Sequence, residues 1–133
     1  MNVFTYGSLM YDSVWAKVVT QTYRQKSGVV HGFQRLRVKN EKYPGLIKGN
    51  GVVEGIINFD IEAEDLARLD IFEGDLYKRE AVEALDADGE KTIAFVYLIR
   101  DEFKSVLDGE WSKAEFERTG WPSLKSSMWV CAG

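Results

Sequence analysis

Two short segments of this 133-residue chain combine residue types that could carry out chemistry. The first segment is Tyr6-Gly7-Ser8-Leu9-Met10, which follows a short apolar run. Because Gly7 has no side chain, a ligand can approach the backbone closely here. The consecutive N–H groups of Gly7, Ser8 and Leu9 could form a concave donor site for a carboxylate or a developing oxyanion. The alternative is an ordinary glycine-serine turn in which Ser8 acts as a cap.

The second segment contains a glutamate at an unusual place in a helical pattern. Glu73 follows Leu66 by seven residues and Leu69 by four, so a regular helix would place all three on one buried face. Glu73 also falls in the last turn, where burial and the helix dipole would both raise its pKa toward a value useful for proton transfer. The alternative is a solvated glutamate at a frayed helix end, or one that pairs with Lys78 or Arg79.

Other reactive residue types form weaker patterns. Ser8 and His31 could belong to a hydrolase triad, but Ser8 does not lie in a Gly-x-Ser-x-Gly elbow. His31 lies in an apolar run without a recognisable partner motif, and we interpret it as a structural strand residue. We interpret Cys131, near the end of the chain, as a small apolar residue. Gly-Asn-Gly at residues 49–51 is not followed by Gly-Lys-Ser/Thr, so this segment does not indicate nucleotide binding.

The composition narrows the class of protein. Hydrophobic residues make up 45% of the chain, which is typical of a soluble globular domain and excludes a disordered one. Seventeen Lys and Arg against twenty-one Asp and Glu give a net charge of −4, so the chain has no basic field for nucleic acid. One cysteine and one histidine exclude a disulfide framework and the common zinc sites. We therefore expect no nucleic-acid partner and no multi-cysteine or histidine-rich metal site.

The length and the distribution of charges predict one cytoplasmic domain over residues 1–133. A chain of this length matches the usual size of a single domain. Charges recur throughout, so no stretch approaches the roughly 18 consecutive apolar residues that a membrane span needs. The first residues, Met-Asn-Val-Phe, lack the basic and apolar segments of a secretion signal. We expect no membrane partner, and the oligomeric state stays open.

The pattern of apolar residues in the first part of the chain predicts strands around one helix. Residues 3–6 are predicted to form a strand and residues 12–19 a helix. Residues 22–38 are predicted to be mainly extended, broken near residues 26–28 and with a candidate bend at Gly32.

A turn and a hairpin are predicted next. Tyr-Pro-Gly at residues 43–45 is typical of a turn, because proline fixes its own φ and biases the residue before it away from helix. Asn-Gly within residues 48–51 favours the positive φ values of a tight turn. We therefore predict a hairpin with strands at residues 45–47 and 52–61.

The rest of the chain predicts a helix, a second hairpin and an aromatic tail. Residues 62–73 have an acidic first turn, a helical apolar period and a glycine after them, which is the clearest helix signal. Residues 77–85 and 91–99 are predicted to be paired strands. Short helical patterns follow at residues 103–107 and 112–118. Three late tryptophans are expected to pack on the domain or to form an oligomer contact: Trp111, Trp121 and Trp129. Many strands with few helices favour an α+β domain whose largely antiparallel sheet closes toward a barrel.

The two chemical segments together resemble motifs of the gamma-glutamylcyclotransferase-like superfamily, including its short gamma-glutamylamine cyclotransferase and avirulence-induced-gene-like members. The motifs are Val3-Phe4-Thr5-Tyr6-Gly7-Ser8-Leu9-Met10 and Leu69-Asp70-x-Phe72-Glu73-Gly74-x-x-Tyr77-x-Arg79. Other features follow in the order of the family: Val30-x-Gly32-Phe33 with Leu36, Tyr43-Pro44, Val53-x-Gly55 and Ala94-Phe95-Val96-Tyr97. The resemblance covers roughly residues 3–99. It implies an α+β fold, a small mixed, largely antiparallel β-barrel flanked by two to four short helices.

The resemblance also implies an active site and a reaction. It gives backbone contacts with the substrate to Tyr6, Gly7, Ser8 and Leu9, and the role of general acid/base to Glu73. The implied substrate is a small-molecule γ-glutamyl amide, whose α-amine attacks the γ-carbonyl and releases 5-oxoproline and a free amine or amino acid. No cofactor or metal is implied. Members of the family act on γ-glutamyl amino acids, γ-glutamyl-lysine isopeptides or acylated antibiotic precursors, and the motifs do not distinguish these.

Two alternative functions follow from the same residues. A protein on this fold could bind a glutamyl-like carboxylate without turnover, because a fold does not by itself define an activity. A hydrolase that uses Ser8 with His31 is the third hypothesis. Substitution of Glu73 distinguishes the cyclotransferase from both alternatives, since neither needs an acid/base at that position.

Overall fold

The computed structural model describes residues 1–39 and 44–110, which form six strands, two α-helices and two 3-10 helices. The strands are β1 (Val3–Thr5), β2 (Gln25–Val38), β3 (Pro44–Asn58), β4 (Tyr77–Asp86), β5 (Lys91–Ile99) and β6 (Leu107–Glu110). The α-helices are α1 (Asp12–Val18) and α2 (Ala63–Glu73), and the 3-10 helices are Ser8–Met10 and Asp101–Val106. Several predictions lie outside the described residues: those for Tyr43, the pattern at 112–118, the three late tryptophans and Cys131.

Five of the strands close into a barrel. They pair in the order β3-β1-β5-β4-β2, and β2 pairs back with β3 to complete the ring. β1 and β5 run parallel, with Val3 opposite Phe95, and the other pairs are antiparallel. β6 pairs with the far end of β2, outside the ring. The predicted mixed, largely antiparallel barrel with short flanking helices is confirmed. Neither α-helix of the described residues is long and apolar enough to cross a membrane.

The predicted hairpin at residues 48–51 is wrong, because the segment is a bulge inside one long strand. His31 of β2 pairs with Val52 of β3, and Phe33 pairs with Lys48. Residues 49–51 therefore stand opposite Gly32 alone, and Gly32 takes a φ of 85° that favours glycine. Both flanks of the Asn-Gly sequence pair with the same neighbouring strand, so they cannot pair with each other. The predicted bend at Gly32 is confirmed.

Two other predicted interruptions are also continuous strand. Residues 26–28 pair with β3 without a break, so the predicted break there is wrong. Gly28 serves close packing instead, since a Cβ atom there would lie 2.7 Å from Cδ1 of Ile57. The turn predicted at residues 43–45 is wrong in its described part, because Pro44 and Gly45 begin β3. A Cβ atom on Gly45 would meet the side chain of Ile99, which explains the glycine.

The core consists of two apolar clusters on opposite faces of the sheet. One cluster fills the barrel: Phe4, Tyr6, Val30, Phe33, Leu46, Val53, Ile57, Phe59, Ala84, Ala94, Val96 and Leu98. The other joins the barrel's outer face to the helices: Val3, Leu9, Val14, Trp15, Val18, Val19, Val38, Ile61, Leu66, Leu69, Tyr77, Tyr97 and Ile99. Alternating residues of β5 belong to different clusters, so both faces of this strand are buried. The predicted helices at residues 12–19 and 62–73 are confirmed as α1 and α2, which lie on the outer cluster, and the second hairpin is confirmed as β4 and β5. The pattern at 103–107 falls on the 3-10 helix Asp101–Val106, and Leu107 begins β6.

A buried carboxylate fastens α2 to the chain that follows α1. Asp65 is fully buried and accepts hydrogen bonds from the Thr20 N–H at 3.0 Å, the Thr20 hydroxyl at 2.8 Å and the Tyr23 hydroxyl at 2.5 Å. Burial alone would raise the pKa of Asp65, but the hydrogen bonds from Tyr23 and Thr20 outweigh it and hold the pKa below the ordinary value. Asp65 is therefore ionised at neutral pH.

Gly55→Ala should destabilise the barrel. A Cβ atom on Gly55 would overlap the carbonyl oxygen of Thr5 and lie 2.6 Å from Cζ of Phe4. Overpacking of this kind costs about 1–3 kcal/mol, which urea unfolding would measure. The control is Val52→Ala, on the same strand at a side chain that is 55% exposed, with an expected change below about 0.5 kcal/mol. A Gly55→Ala variant as stable as the control would contradict the packing described here.

Asp65→Asn should lower stability in a pH-dependent way. Because the pKa of Asp65 is lower in the folded state, its ionisation stabilises the fold above the ordinary aspartate pKa of about 4, and the contribution is lost as the pH falls through the lower folded value. We expect a loss of about 1–3 kcal/mol at neutral pH, because one of the two acceptor oxygens is replaced by an NH2 group that faces the donors of Thr20 or Tyr23. Urea unfolding in acid should show a smaller difference between variant and wild type. Glu64→Gln, at an exposed neighbour, is the control, and a pH-independent difference would contradict this account.

Candidate active site

The glycine-serine segment forms a tight turn between β1 and α1. The Met10 N–H donates to the carbonyl of Gly7 at 3.0 Å, and the Tyr11 N–H donates to that of Ser8 at 3.1 Å. The amides of Ser8 and Leu9 lie at the start of this 3-10 helix, where they have no acceptor within the helix. Residues 6–9 are all buried. The alternative in which Ser8 acts as a cap is wrong in that detail, because Gly7 precedes the 3-10 helix, Tyr11 precedes α1, and neither position has a side-chain cap hydrogen bond.

Two hydrogen bonds fix the start of this turn. The hydroxyl of Tyr6, which is fully buried, donates to the main-chain carbonyl of Tyr97 at 2.6 Å. The carbonyl of Tyr6 accepts from Nη1 of Arg35 at 2.8 Å. Burial lowers the pKa of Arg35 against the opposing charge of Glu54, but a guanidinium group remains charged at any physiological pH. Tyr6 is thus held at both its main chain and its side chain.

The hydroxyl of Ser8 is an unusual buried polar group. Ser8 is fully buried, and its Oγ has no hydrogen-bond partner among residues 1–39 and 44–110. A buried hydroxyl without a partner costs free energy, and such groups in native structures call for an explanation. A ligand at the turn would supply the missing partner. The structure gives no support to a Ser8–His31 triad, because His31 is exposed while Ser8 is buried.

Glu73 is buried at the end of α2, on the face that its spacing predicts. It is 2% exposed, in line with Leu66 at 5% and Leu69 at 0%. Its Oε1 atom is shielded from solvent. Gly74 ends the helix with a φ of 78°, and its N–H donates to the carbonyl of Asp70 at 3.1 Å. The alternative of a solvated glutamate at a frayed end is therefore wrong.

A second tyrosine is bonded to the helix that carries Glu73. Tyr97 of β5 is 2% exposed, and its hydroxyl donates to Oδ1 of Asp70 at 2.7 Å. Burial, the hydrogen bond to Asp70 and the charges of Asp70 and Glu73 raise the pKa of Tyr97 far above its ordinary value. The hydroxyl of Tyr97 therefore keeps its proton and remains a donor at neutral pH.

The structure brings the two predicted segments to the same tyrosine. Tyr6 bonds to the main chain of Tyr97, while the side chain of Tyr97 bonds to α2 one turn before Glu73. Leu9 of the turn and Leu69 of α2 belong to the same apolar cluster. Residues separated widely in the sequence thus converge on β5. In the part of the chain that the structure describes, no group of three His, Cys, Asp or Glu side chains is arranged to hold a metal ion.

Sequence analysis missed the roles of Arg35 and Tyr97. Arg35 lies on β2 and lines a cavity of about 560 Å³ together with Met10 and Tyr11, directly after the turn. The sequence places Tyr97 at the end of Ala94-Phe95-Val96-Tyr97 on a predicted strand and gives its hydroxyl no role. The available signal was chemical: a tyrosine on a strand buried on both faces must find a partner for its hydroxyl. The pattern alone does not say which partner.

The fold and these two segments define the family. A model of the family described as "Gamma-glutamyl cyclotransferase, AIG2-like" matches residues 3–113. The chain belongs to this family.

Plant relatives and solved structures agree with this assignment. Protein AIG2 C of Arabidopsis thaliana is 29% identical over 119 residues, which cover 86% of this chain and 71% of that protein. AIG2-like protein D of the same plant is 32% identical over 120 residues, which cover 88% of this chain and 79% of that protein. The solution structure of an Arabidopsis thaliana protein, 29% identical, superposes with a TM-score of 0.74 over 95% of this chain and 86% of that one. A structure described as gamma-glutamyl cyclotransferase is 14% identical and shares the fold. The TM-score is 0.66 over 81% of this chain and 68% of that one.

Ser8→Ala should not destabilise the protein, because it removes a buried hydroxyl that has no partner among the described residues. We expect a free energy of unfolding equal to that of wild type or higher, by at most about 1 kcal/mol. Thr20→Ala is the matched control, since its hydroxyl bonds to Asp65 at 2.8 Å and its loss should be destabilising. Chemical denaturation measures both. A Ser8→Ala variant less stable than Thr20→Ala would show that the Ser8 hydroxyl supports the fold.

Proposed function

We propose that this protein is a γ-glutamyl amide cyclotransferase that releases 5-oxoproline, with Glu73 as general acid/base. The observation that carries the proposal is the burial of Glu73, 2% exposed, on a helix tied to the tyrosine that also holds the turn. A carboxyl group withdrawn from water in this way is a candidate for proton transfer. Membership of the gamma-glutamyl cyclotransferase, AIG2-like family supports the reaction class.

The substrate's own α-amine is the nucleophile in this reaction. The carboxylate of Glu73 takes a proton from the α-ammonium group, and the freed amine attacks the γ-carbonyl carbon to close a five-membered ring. As the original amide C–N bond breaks, Glu73 donates that proton to the leaving nitrogen. The ring nitrogen then gives its second proton to Glu73, and the released amine takes it up. Products are 5-oxoproline and a free amine, and the carboxylate is regenerated.

The turn supplies the other half of the site. The amides of Gly7, Ser8 and Leu9 bind either the α-carboxylate of the substrate or the oxyanion that develops on the γ-carbonyl. The buried Ser8 hydroxyl adds a further polar contact. Binding that holds the substrate folded, with its amine next to its γ-carbonyl, lowers the activation barrier by about 7 kcal/mol or more in favourable cases. Neither a covalent enzyme nucleophile nor a water molecule enters the reaction.

Glu73→Gln should abolish the release of 5-oxoproline while the fold persists. The amide has nearly the shape of the carboxyl group but cannot accept and return a proton. We expect a loss of about 100-fold or more in kcat. The assay is mass spectrometry of purified protein with γ-glutamyl amino acids, γ-glutamyl-ε-lysine and simple γ-glutamyl amines.

Glu64→Gln is the matched control, because Glu64 lies exposed at the other end of the same helix. It should release 5-oxoproline at the wild-type rate. Activity of Glu73→Gln within a few-fold of wild type would refute the role of Glu73. Binding of a glutamyl-like carboxylate by wild type without any product would favour a binding protein instead.

A further inference from the structure

Two charged residues of the second motif have no part in the proposed reaction. Asp70 and Arg79 form an ion pair with 3.1 Å between Nε and Oδ1, and their side chains are 42% and 28% exposed. The same Oδ1 atom of Asp70 accepts the hydrogen bond from Tyr97. The guanidinium group of Arg79 also lies 4.8 Å from the ring centre of Phe95 on β5. Arg79 therefore holds the carboxylate of Asp70 in place from the barrel side.

Asp70 is bonded at both its side chain and its main chain. Its side chain reaches Tyr97 on the barrel, while its carbonyl accepts the N–H of Gly74, the residue directly after Glu73. A helix end frays unless such contacts hold it. The turn that carries Glu73 is thus closed by one atom of Asp70 and docked on β5 by another.

The docking continues to the substrate turn. The carbonyl of Tyr97 accepts a hydrogen bond from the Tyr6 hydroxyl at 2.6 Å, and the Tyr97 hydroxyl donates one to Asp70 at 2.7 Å. Tyr6 and Tyr97 are both at most 2% exposed. The chain Asp70–Tyr97–Tyr6 is therefore a polar connection between the helix end with Glu73 and the turn at residues 6–9. Proton transfer depends on such distances, and a misplacement of about 1 Å can cost 100-fold in rate.

We infer that Asp70 is a positioning residue whose hydrogen bond to Tyr97 sets the placement of Glu73 relative to the substrate turn. The inference rests on the proposed function for its effect on turnover. The bond itself, and not the negative charge, performs this role. Arg79 orients the carboxylate, and Tyr97 transmits the constraint to the barrel.

Three substitutions separate the bond from the charge. Asp70→Asn keeps an oxygen acceptor for Tyr97, Asp70→Leu removes it, and Tyr97→Phe removes the donor. We expect Asp70→Leu and Tyr97→Phe to lower kcat by about tenfold to 100-fold with KM within about threefold. Asp70→Asn should stay within about threefold of wild type in kcat. The double variant Asp70→Leu with Tyr97→Phe should be no slower than either single variant, because both substitutions remove the same hydrogen bond.

Two further measurements keep the inference testable apart from turnover. Hydrogen exchange of the Gly74 amide should accelerate about tenfold in Asp70→Leu and Tyr97→Phe, with the first turn of α2 unchanged. Gly89→Ala is the structural control, because Gly89 takes a φ of 81° in the turn between β4 and β5, a conformation that strains any residue with a Cβ atom. It should lower the melting temperature without changing kcat.

The outcomes are distinct. Unchanged Gly74 exchange, or wild-type kcat in Asp70→Leu and Tyr97→Phe, would overturn the inference. An Asp70→Asn variant with a kcat as low as that of Asp70→Leu would also overturn it. So would a double variant whose loss of kcat is the product of the two single losses. Absence of 5-oxoproline from wild type across the γ-glutamyl panel would overturn the proposed function alone, because the exchange measurement still decides whether Asp70 holds the helix end.

Discussion

The pairing of β2 with β3 closes the barrel, and the geometry of the site depends on that closure. The ring leaves no unpaired edge between its strands, so Tyr6 lies in a filled interior and Tyr97 on a strand that is buried on both faces. Gly28 and Gly55 stand opposite each other in this pairing and keep room for neighbouring groups. Because β5 is paired with β1 on one side and β4 on the other, a hydrogen bond to it places its partner relative to the barrel.

The helix α2 carries two buried carboxyl groups with different surroundings. Asp65 is surrounded by donors, and its ionised form fastens the beginning of the helix to Thr20 and Tyr23. Glu73 lies in the last turn at the other end and is 2% exposed. The two buried carboxyl groups thus lie at opposite ends of one helix. The anchoring of the first end gives the second a fixed direction of approach to the barrel.

Much of this arrangement could be predicted from the sequence, where the signals are local. Helix periods, the second hairpin and the two motif segments depend on neighbouring residues, and the structure agrees with them. The Asn50-Gly51 signal failed because both of its flanks pair with β2, a tertiary constraint that overrides a local preference. Tyr97 and Arg35 were missed for the same reason: the bond between Tyr6 and Tyr97 joins residues 91 positions apart. Periodicity places a tyrosine on a strand but does not name its partner.

The position of β1 in the sheet has a consequence for how the protein acquires its site. This strand of three residues lies between β3 and β5, and its neighbour Asn2 also accepts the N–H of Phe95 at 2.8 Å. Both pairings of β1 join residues far apart in the sequence, since Val3 lies opposite Asn58 on one side and Phe95 on the other. Forming such pairs requires the closure of long loops, which costs conformational entropy. The turn at residues 6–9 follows β1 directly, so its position depends on these two long-range pairings and not on local sequence alone.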